Sequence, residues 1–207
     1  MSPRGSALVD VTEEPRTRNV ACDFLVTVTC GFRLLYVLVV MEHGTRRLIH
    51  CNVTAHPTAF WTRQQLREGL GYETRYRYRY LIHDRDSIFS WELDNCVESF
   101  GLRVVKTPPR CPMANGVCER VIGTIRRECL DWLIPLSEAH LRRVLKSWID
   151  HYNRGRPHMG LGPGVPDPPA APSRSMPKSR HSLDDFGSVR GKAVLGGLHH
   201  EYSLACA

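Results

Sequence analysis

The sequence predicts a mixed α/β domain, because strand patterns come first and helical periods dominate later in the chain. Two apolar, β-branched stretches, 20–29 and 34–41, have the composition of buried strands. The turn residues 42–45 lead into a third strand pattern at 46–54, so the second and third strands form a β-hairpin. From Met113 onward, apolar residues recur at helical spacing instead. The predicted order is β-β-β-α-β-α-β-α-α, which is not a uniform βα alternation.

Four elements fill the space between the hairpin and Met113. They are a helix that Pro57 starts and 59–70 continues, a strand over 78–83, a short helix over 90–100 and a strand over 102–106. Three prolines make 107–112 a loop. In the first of the two later helices the apolar stripe runs from Val117 to Leu133, and Ser137 caps the second.

Composition indicates a soluble protein with an acidic partner. The chain has 207 residues, of which 42% are hydrophobic and 24% charged, and a formal charge of +7. This charge favours nucleic acid as the partner over a basic protein with no such partner. None of the 8 cysteines forms a C-x-x-C pair, which argues against zinc-finger and redox motifs and suits a reducing cytosol.

No segment predicts export or membrane insertion. Residues 1–19 have no apolar core of signal-peptide type, and the longest apolar run, 34–41, is too short to span a bilayer. We expect a cytoplasmic protein with no membrane partner and no small-molecule substrate. Three regions are predicted: a disordered or truncated segment at 1–19, a domain at 20–162, and a Pro/Gly-rich linker with a C-terminal tail at 163–207. The tail is interpreted either as docked on the domain or as a segment that binds a partner.

Three acidic residues stand on three separate predicted elements. Asp23 lies in the first strand, Asp84 ends the strand over 78–83, and Glu119 lies on a helix, with 34 residues between Asp84 and Glu119. Glu119 is roughly 200° around that helix from Val117 and therefore faces away from the apolar stripe. If the three carboxylates converge, they can hold divalent metal ions that act on phosphodiesters.

Five segments give the chain a family likeness, and they occur in a fixed order over about 20–162. They are 21–24, 83–89, 107–120 with its Asn-Gly-x-x-Glu-Arg pattern, 126–131, and 151–158 with its Tyr-Asn-x-x-Arg-Pro-His pattern. Together they resemble the catalytic core of DDE-type transposases and integrases, of the bacterial insertion-sequence and retroviral kind. The resemblance implies a ribonuclease H-like fold, a mixed sheet flanked by helices.

The same resemblance implies a chemistry. It places the catalytic and metal-binding roles on Asp23, Asp84 and Glu119, with two Mg²⁺ or Mn²⁺ ions between them. It also implies DNA as the partner, as transposon ends and target, and a homo-oligomer assembled on that DNA in the nucleoid. Asp86 is a competing carboxylate where the family pattern often has Asp-Asn-Gly, and Asp84 is favoured because it ends the strand. No helix-turn-helix region precedes Asp23, so a shortened copy or one piece of a split product is expected.

A basic group surrounds Glu119 in the sequence. The predicted DNA-binding residues are Lys106, Arg110, Asn115, Arg120, Gly123, Arg126 and Arg127. The alternative is a solvated helix face with local pairs such as Arg127 to Asp131. Gly123 would either let a DNA backbone approach or allow close packing against another helix.

The function that these patterns favour is metal-dependent DNA cleavage and strand transfer, as in transposition and DNA recombination. Two other functions stay open. One is a catalytically inactive DNA-binding remnant of a transposable element, and the other is a ribonuclease H-type nuclease on the same fold.

Overall fold

A mixed five-stranded sheet forms the centre of the protein. The computed structural model describes residues 19–71, 77–86, 88–107, 115–162, 164–168 and 189–204. The strands are β1 (Asn19–Val28), β2 (Leu34–Glu42), β3 (Leu48–Thr54), β4 (Tyr80–His83) and β5 (Arg103–Lys106), in the spatial order β3-β2-β1-β4-β5. Strands β1, β2 and β3 pair antiparallel, whereas β4 runs parallel to β1 and β5 parallel to β4.

Helices cover both faces of this sheet. They are α1 (Ala59–Leu70), α2 (Trp91–Ser99), α3 (Gly116–Glu128) and α4 (Glu138–Arg154). Alternate residues of β1 and β2 point to opposite faces, because successive side chains of a strand alternate. Ala21 and Val39 pack with α3 and α4 in one core, while Cys22 and Leu38 pack with α1 and α2 in the other. The sheet is therefore buried on both sides, and the predicted α/β class and element order are confirmed.

Local sequence signals explain where the helices begin. The hydroxyl of Thr58 accepts a hydrogen bond from the Trp61 N–H, Ser90 does the same for Leu93, and Ser137 does so for His140. The cap predicted at Ser137 is confirmed. Helix α2 ends just before Gly101, whose φ of 84° is a conformation that glycine adopts without a Cβ penalty.

Helix α4 is fastened to the edge strand β3. The Asn153 amide donates to the Leu48 carbonyl at 2.9 Å and accepts from the Leu48 N–H at 3.0 Å. Trp148 is fully buried between them and the rest of the core. This contact fixes the helix that leads into the Arg-Pro-His segment at 156–158.

A second, two-stranded sheet lies at the C-terminal end, β6 (Val189–Val194) paired antiparallel with β7 (His199–Leu204). The Glu201 carboxylate accepts from His151 of α4 at 2.9 Å, and His199 bonds the Glu128 carbonyl of α3 at 2.7 Å. Of the two interpretations left open for the tail, docking is confirmed for this hairpin. Among the helices that the structure describes, none is both long and apolar enough to cross a membrane.

Candidate active site

Strand register brings Asp23 and Asp84 side by side. In the parallel pair β1–β4, Ala21 is the partner of Ile82. Asp23 and Asp84 each follow that pair by two residues along neighbouring parallel strands. Parallel strands run in register, so equal offsets from a paired position place both carboxylates at the same edge of the sheet. Both side chains are half-buried.

Helix α3 brings Glu119 to the same edge. The side-chain amide of Asn115, just before the helix, donates to the carbonyl of Cys22 at 3.4 Å. Farther along, the Arg126 guanidinium donates to the Val26 carbonyl at 3.1 Å. The two bonds hold α3 along β1. Glu119 stands in the first turn of α3 and is exposed, with its N–H bonded to the Asn115 carbonyl.

The electrostatics of Asp23 show that the other carboxylates act on it. Burial, followed by repulsion from Asp84, Glu119 and Asp86, raises the pKa of Asp23 from 3.8 to about 6. The hydrogen bond that Asp23 accepts from the Phe24 N–H at 2.7 Å opposes this rise. A cation bound near Asp23 would favour the ionised form of this carboxyl.

Two buried cysteines are sequence neighbours of the acidic residues. Cys22 precedes Asp23 and Cys118 precedes Glu119, and both are completely buried. Burial raises the pKa of each thiol well above its usual value, and repulsion from Asp23 and Asp84 adds to this at both. The thiols therefore stay protonated and apolar. Neither thiol competes with the carboxylates as a thiolate ligand.

The loop after β4 distinguishes Asp84 from Asp86. Asp84 is half-buried and accepts from the Asp86 N–H at 3.0 Å, which turns the chain. Asp86 is exposed, and its carboxylate accepts from the Ile88 N–H at 3.2 Å. Its repulsion is also the weakest of the three carboxylate contributions to the Asp23 pKa. These positions favour Asp84 as the carboxylate that acts with Asp23.

The donor chemistry fits a hard divalent cation, since Mg²⁺ and Mn²⁺ prefer carboxylate oxygens. Within the described ranges, however, no three Asp, Glu, His or Cys side chains stand close enough together to hold a metal ion. The acidic residues lie at one edge of the sheet and influence the pKa of Asp23, but their side chains are not close enough together to coordinate one metal ion.

A buried network behind Asp84 is absent from the sequence-based prediction. His83 is completely buried, stacks on Phe89 at 4.5 Å, and bonds the Asp84 carbonyl at 2.5 Å and the Asp94 carboxylate at 3.0 Å. Lys106 pairs with the other oxygen of Asp94 at 2.5 Å. The ammonium of Lys106, predicted to contact DNA, is therefore held in an ion pair that braces the Asp84 strand end. The signal in the sequence was the position of His83 directly before Asp84.

The structure separates the other predicted DNA-binding residues. Arg110 lies outside the described residues. Asn115 is only 3% exposed and its amide is directed at β1, so its place is structural and not at the surface. Arg126 is exposed yet tied to the Val26 carbonyl. Arg120 and Arg127 are exposed and sit roughly 80° to 100° around α3 from Glu119, so they face a different side.

Close packing against another helix is not found at Gly123 among the described residues. The three atoms nearest to a Cβ placed there all belong to Arg127, with Nη1 at 3.0 Å. The guanidinium of Arg127 occupies the space instead. The predicted approach of a DNA backbone at this glycine stays a prediction.

Comparison with known proteins agrees with this arrangement. Residues 101–166 match the family model described as the integrase core domain. A curated insertion element protein, the IS476 uncharacterized 39.2 kDa protein of Xanthomonas euvesicatoria, is 34% identical over 67 residues. That match covers 31% of this chain and 19% of the relative, so the chain spans about a fifth of its length.

Two solved structures have similar folds. The catalytic domain of Mos1 mariner transposase gives a TM-score of 0.55 at 14% identity, covering 65% of this chain and 71% of that one. The HTLV-2 integrase catalytic core domain in complex with magnesium gives 0.51 at 12% identity, covering 66% and 85%. At such identities the likeness establishes the fold. The predicted resemblance to integrase and transposase cores and the ribonuclease H-like fold are both confirmed.

Proposed function

We propose that this chain is the catalytic core of a DDE-type transposase, which cuts and joins DNA phosphodiesters with divalent metal ions. The observation that carries the proposal is the coupling of Asp23 with Asp84 and Glu119 at one edge of the sheet. Three acidic groups from three elements repel one another there, and such a group of carboxylates is costly unless a cation neutralises it. The family match over 101–166, which includes Glu119, supports the same conclusion.

Asp23, Asp84 and Glu119 would be the metal ligands in this proposal. Two Mg²⁺ or Mn²⁺ ions bound there would activate a water or a DNA 3′-hydroxyl for attack and stabilise the leaving oxygen. The chain's own residues position the ligands. Asn115 holds the start of α3 against β1 through its hydrogen bond to the Cys22 carbonyl. His83, Asp94 and Lys106 form a network that bonds the backbone carbonyl of Asp84. The Asp86 N–H donates to the Asp84 carboxylate and so orients it. The magnesium in the HTLV-2 integrase core supports this choice of cation.

The proposed substrate is double-stranded DNA, with transposon ends and a target. The formal charge of +7 favours a polyanion. Joining two ends to one target requires more than one active site, so we propose a homo-oligomer on DNA. A cytoplasmic location at the nucleoid follows from that substrate.

Strand joining on labelled DNA ends tests the proposal. The chain would be incubated with a fluorescent duplex in Mg²⁺ or Mn²⁺, and cleaved and joined products would be separated by size. We expect Glu119→Gln to abolish both products, because it removes an anionic ligand while keeping the side-chain shape. Glu98→Gln, an exposed change on α2, is the matched control and should keep full activity. Equal joining by the native chain and Glu119→Gln would refute the assignment.

The same assay separates the two alternatives. A DNA-binding remnant would bind the duplex in a salt-dependent way and give no product in either metal. A ribonuclease H-type nuclease would cut the RNA strand of an RNA–DNA hybrid and leave the DNA duplex intact.

A further inference from the structure

A second cleft opens about a quarter turn around α3 from Glu119. Its volume is about 290 Å³, and it lies between α3, the turn that joins β2 to β3, and the segment after α4. Four arginines line it: Arg46 from the turn, Arg120 and Arg127 from α3, and Arg156 from the Arg-Pro-His segment. We call these four residues and their cleft the arginine cleft. Four guanidinium groups from three parts of the chain point to an anionic occupant, because cations that converge without a counter-charge repel one another.

Little in the described protein neutralises this charge. Arg156 makes a bidentate pair with Glu128, at 2.8 and 2.6 Å. The side chains of Arg46, Arg120 and Arg127 have no ion pair or hydrogen bond among the described residues. A neighbouring cleft along α4 is different. There Arg47 and Arg154 are paired with Asp167, and Arg154 also with Asp150, while Arg143 and Lys146 line that cleft as well. Two carboxylates thus line the neighbouring cleft, whereas no described carboxylate lines the arginine cleft.

Two glycines seat the arginine side chains. A Cβ at Gly160 would lie 2.6 Å from one terminal nitrogen of Arg46 and 3.0 Å from the other. A Cβ at Gly123 would lie 3.0 Å from a terminal nitrogen of Arg127. Each guanidinium thus lies on bare backbone, on opposite sides of the cleft. Guanidinium groups held in this way present a prepared fork for phosphate oxygens.

The histidine in the cleft adds no charge of its own. Burial lowers the pKa of His158, and Arg156 and Arg46 lower it further through their positive charges. His158 instead bonds the Tyr152 carbonyl at 3.3 Å and stays neutral. The positive charge that can bind an anion in the cleft therefore comes from its arginines alone, which remain charged at every physiological pH.

We propose that the arginine cleft binds backbone phosphates of the DNA, away from the phosphate that reacts. This inference rests on the proposed function and extends it, since it names a second contact with the same substrate. Arg120 and Arg127 project about a quarter turn around α3 from Glu119, so the contacted phosphate lies beside the acidic edge. Phosphate contacts in the cleft would not distinguish one base from another, so their contribution to DNA affinity would depend on salt and not on the DNA sequence.

Fluorescence anisotropy tests this inference with the full chain, a 20-base-pair labelled duplex and EDTA, so that binding is measured without catalysis. Affinity would be measured over a series of NaCl concentrations. We expect Arg46→Gln and Arg127→Gln each to weaken binding about five- to ten-fold near 0.1 M salt and to reduce the slope of log affinity against log salt by about one. Arg46→Lys should restore the slope. Arg143→Gln, an exposed change on α4 outside the cleft, controls for net charge and should leave the slope nearly unchanged.

The outcomes are distinguishable. Native affinity and slope in Arg46→Gln and Arg127→Gln, with normal circular dichroism, would overturn the inference and leave strand joining untouched. A cleft for free phosphate would show a different pattern: inorganic phosphate would raise the Tm of the native chain but not of Arg46→Gln, and duplex affinity would be equal in both. If strand joining requires Glu119 but Arg46→Gln binds DNA normally, the proposed function is supported and the inference about the arginine cleft is wrong.

Discussion

Helix α3 presents two charged faces that are built in opposite ways. On the face toward β1, the exposed Glu119 stands near the half-buried Asp23 and Asp84 in an acidic group. On the face toward the β2–β3 turn, Arg120 and Arg127 join Arg46 and Arg156 in an open basic cleft. Between the two faces, the buried arc of Val121, Ile125 and Cys129 attaches the helix to the core.

Under the two proposals, one helix would both position a polyanion and act on it. Like charges are gathered on each face and repel one another, so a cation would stabilise the acidic face and phosphate the basic one. The acidic face depends on the packing of α3 against the sheet, whereas the basic face depends on arginine side chains that lie over glycine backbone. Changes on the acidic face should therefore alter chemistry, and changes on the basic face should alter affinity.

The largest effect is expected from Asp84→Asn. Strand joining should fall more than about 100-fold, because loss of even an outer-shell group at a metal site costs 10- to 100-fold. Asp86→Asn is the matched control two residues away and should change the rate less than about three-fold. Both would be measured at saturating DNA. A loss in Asp86→Asn as large as that in Asp84→Asn would mean that Asp86 shares the role.

A change at Asp23 should stabilise the metal-free protein. Its pKa is raised to about 6 in the folded state from 3.8, so folding is favoured below pH 3.8 and loses that advantage as pH rises through 6. Asp23→Asn removes the cost of the ionised form, which is at most about 3 kcal/mol at pH 8. Urea unfolding in EDTA should show this gain at pH 8 and almost none near pH 4. An equal change at both pH values would contradict the electrostatic explanation.

The network behind Asp84 should have a smaller effect. Asp94→Asn removes the charge that holds both His83 and Lys106, so the strand end at Asp84 should lose its brace. We expect joining to fall about ten-fold, in the range of groups that orient a ligand, with DNA affinity unchanged. Asp131→Asn, exposed after α3, is the control. Loss of DNA affinity in Asp94→Asn would instead place Lys106 at the DNA.

The smallest effect is expected at Gly123, where two measurements should move in opposite directions. Gly123→Ala should raise the free energy of unfolding by up to about 1 kcal/mol, because alanine favours a helix. It should also shift the end of Arg127 and weaken duplex binding by less than about five-fold. Unchanged affinity together with higher stability would remove Gly123 from the basic face.

Most of the fold follows from local patterns. The helix predicted to start at Pro57 begins at Ala59 and ends at Leu70 as expected, and the strands predicted over 20–29 and 34–41 shift by one residue at most. The periodic apolar residues and the capping residues of these elements are local in sequence, so local interactions determine where each element forms.

The features of the site that could not be predicted from the sequence depend on contacts between residues that are far apart in the chain. Lys106 has the exposed position of a phosphate contact, and only the fold places Asp94 beside it. Asn115 lies on the Glu119 side of α3 by angle, yet the approach of β1 buries it. Arg46 carries no signal at all, because its partners in the cleft come from residues 120 to 156. The angle around a helix predicts the direction of a side chain, whereas its burial depends on which other element packs against that side of the helix.

The most direct test of the acidic face is whether it binds a cation. Thermal unfolding would be followed at pH 7.5 in 0 to 20 mM Mg²⁺ for the native chain, Asp84→Asn and Asp86→Asn. A ligand at ten times its Kd stabilises by about 1.4 kcal/mol, which corresponds to roughly 3 to 6 °C for a domain of this size. The account predicts that Mg²⁺ raises the Tm of the native chain and of Asp86→Asn but not of Asp84→Asn. An equal rise in all three, or none in the native chain, would contradict it.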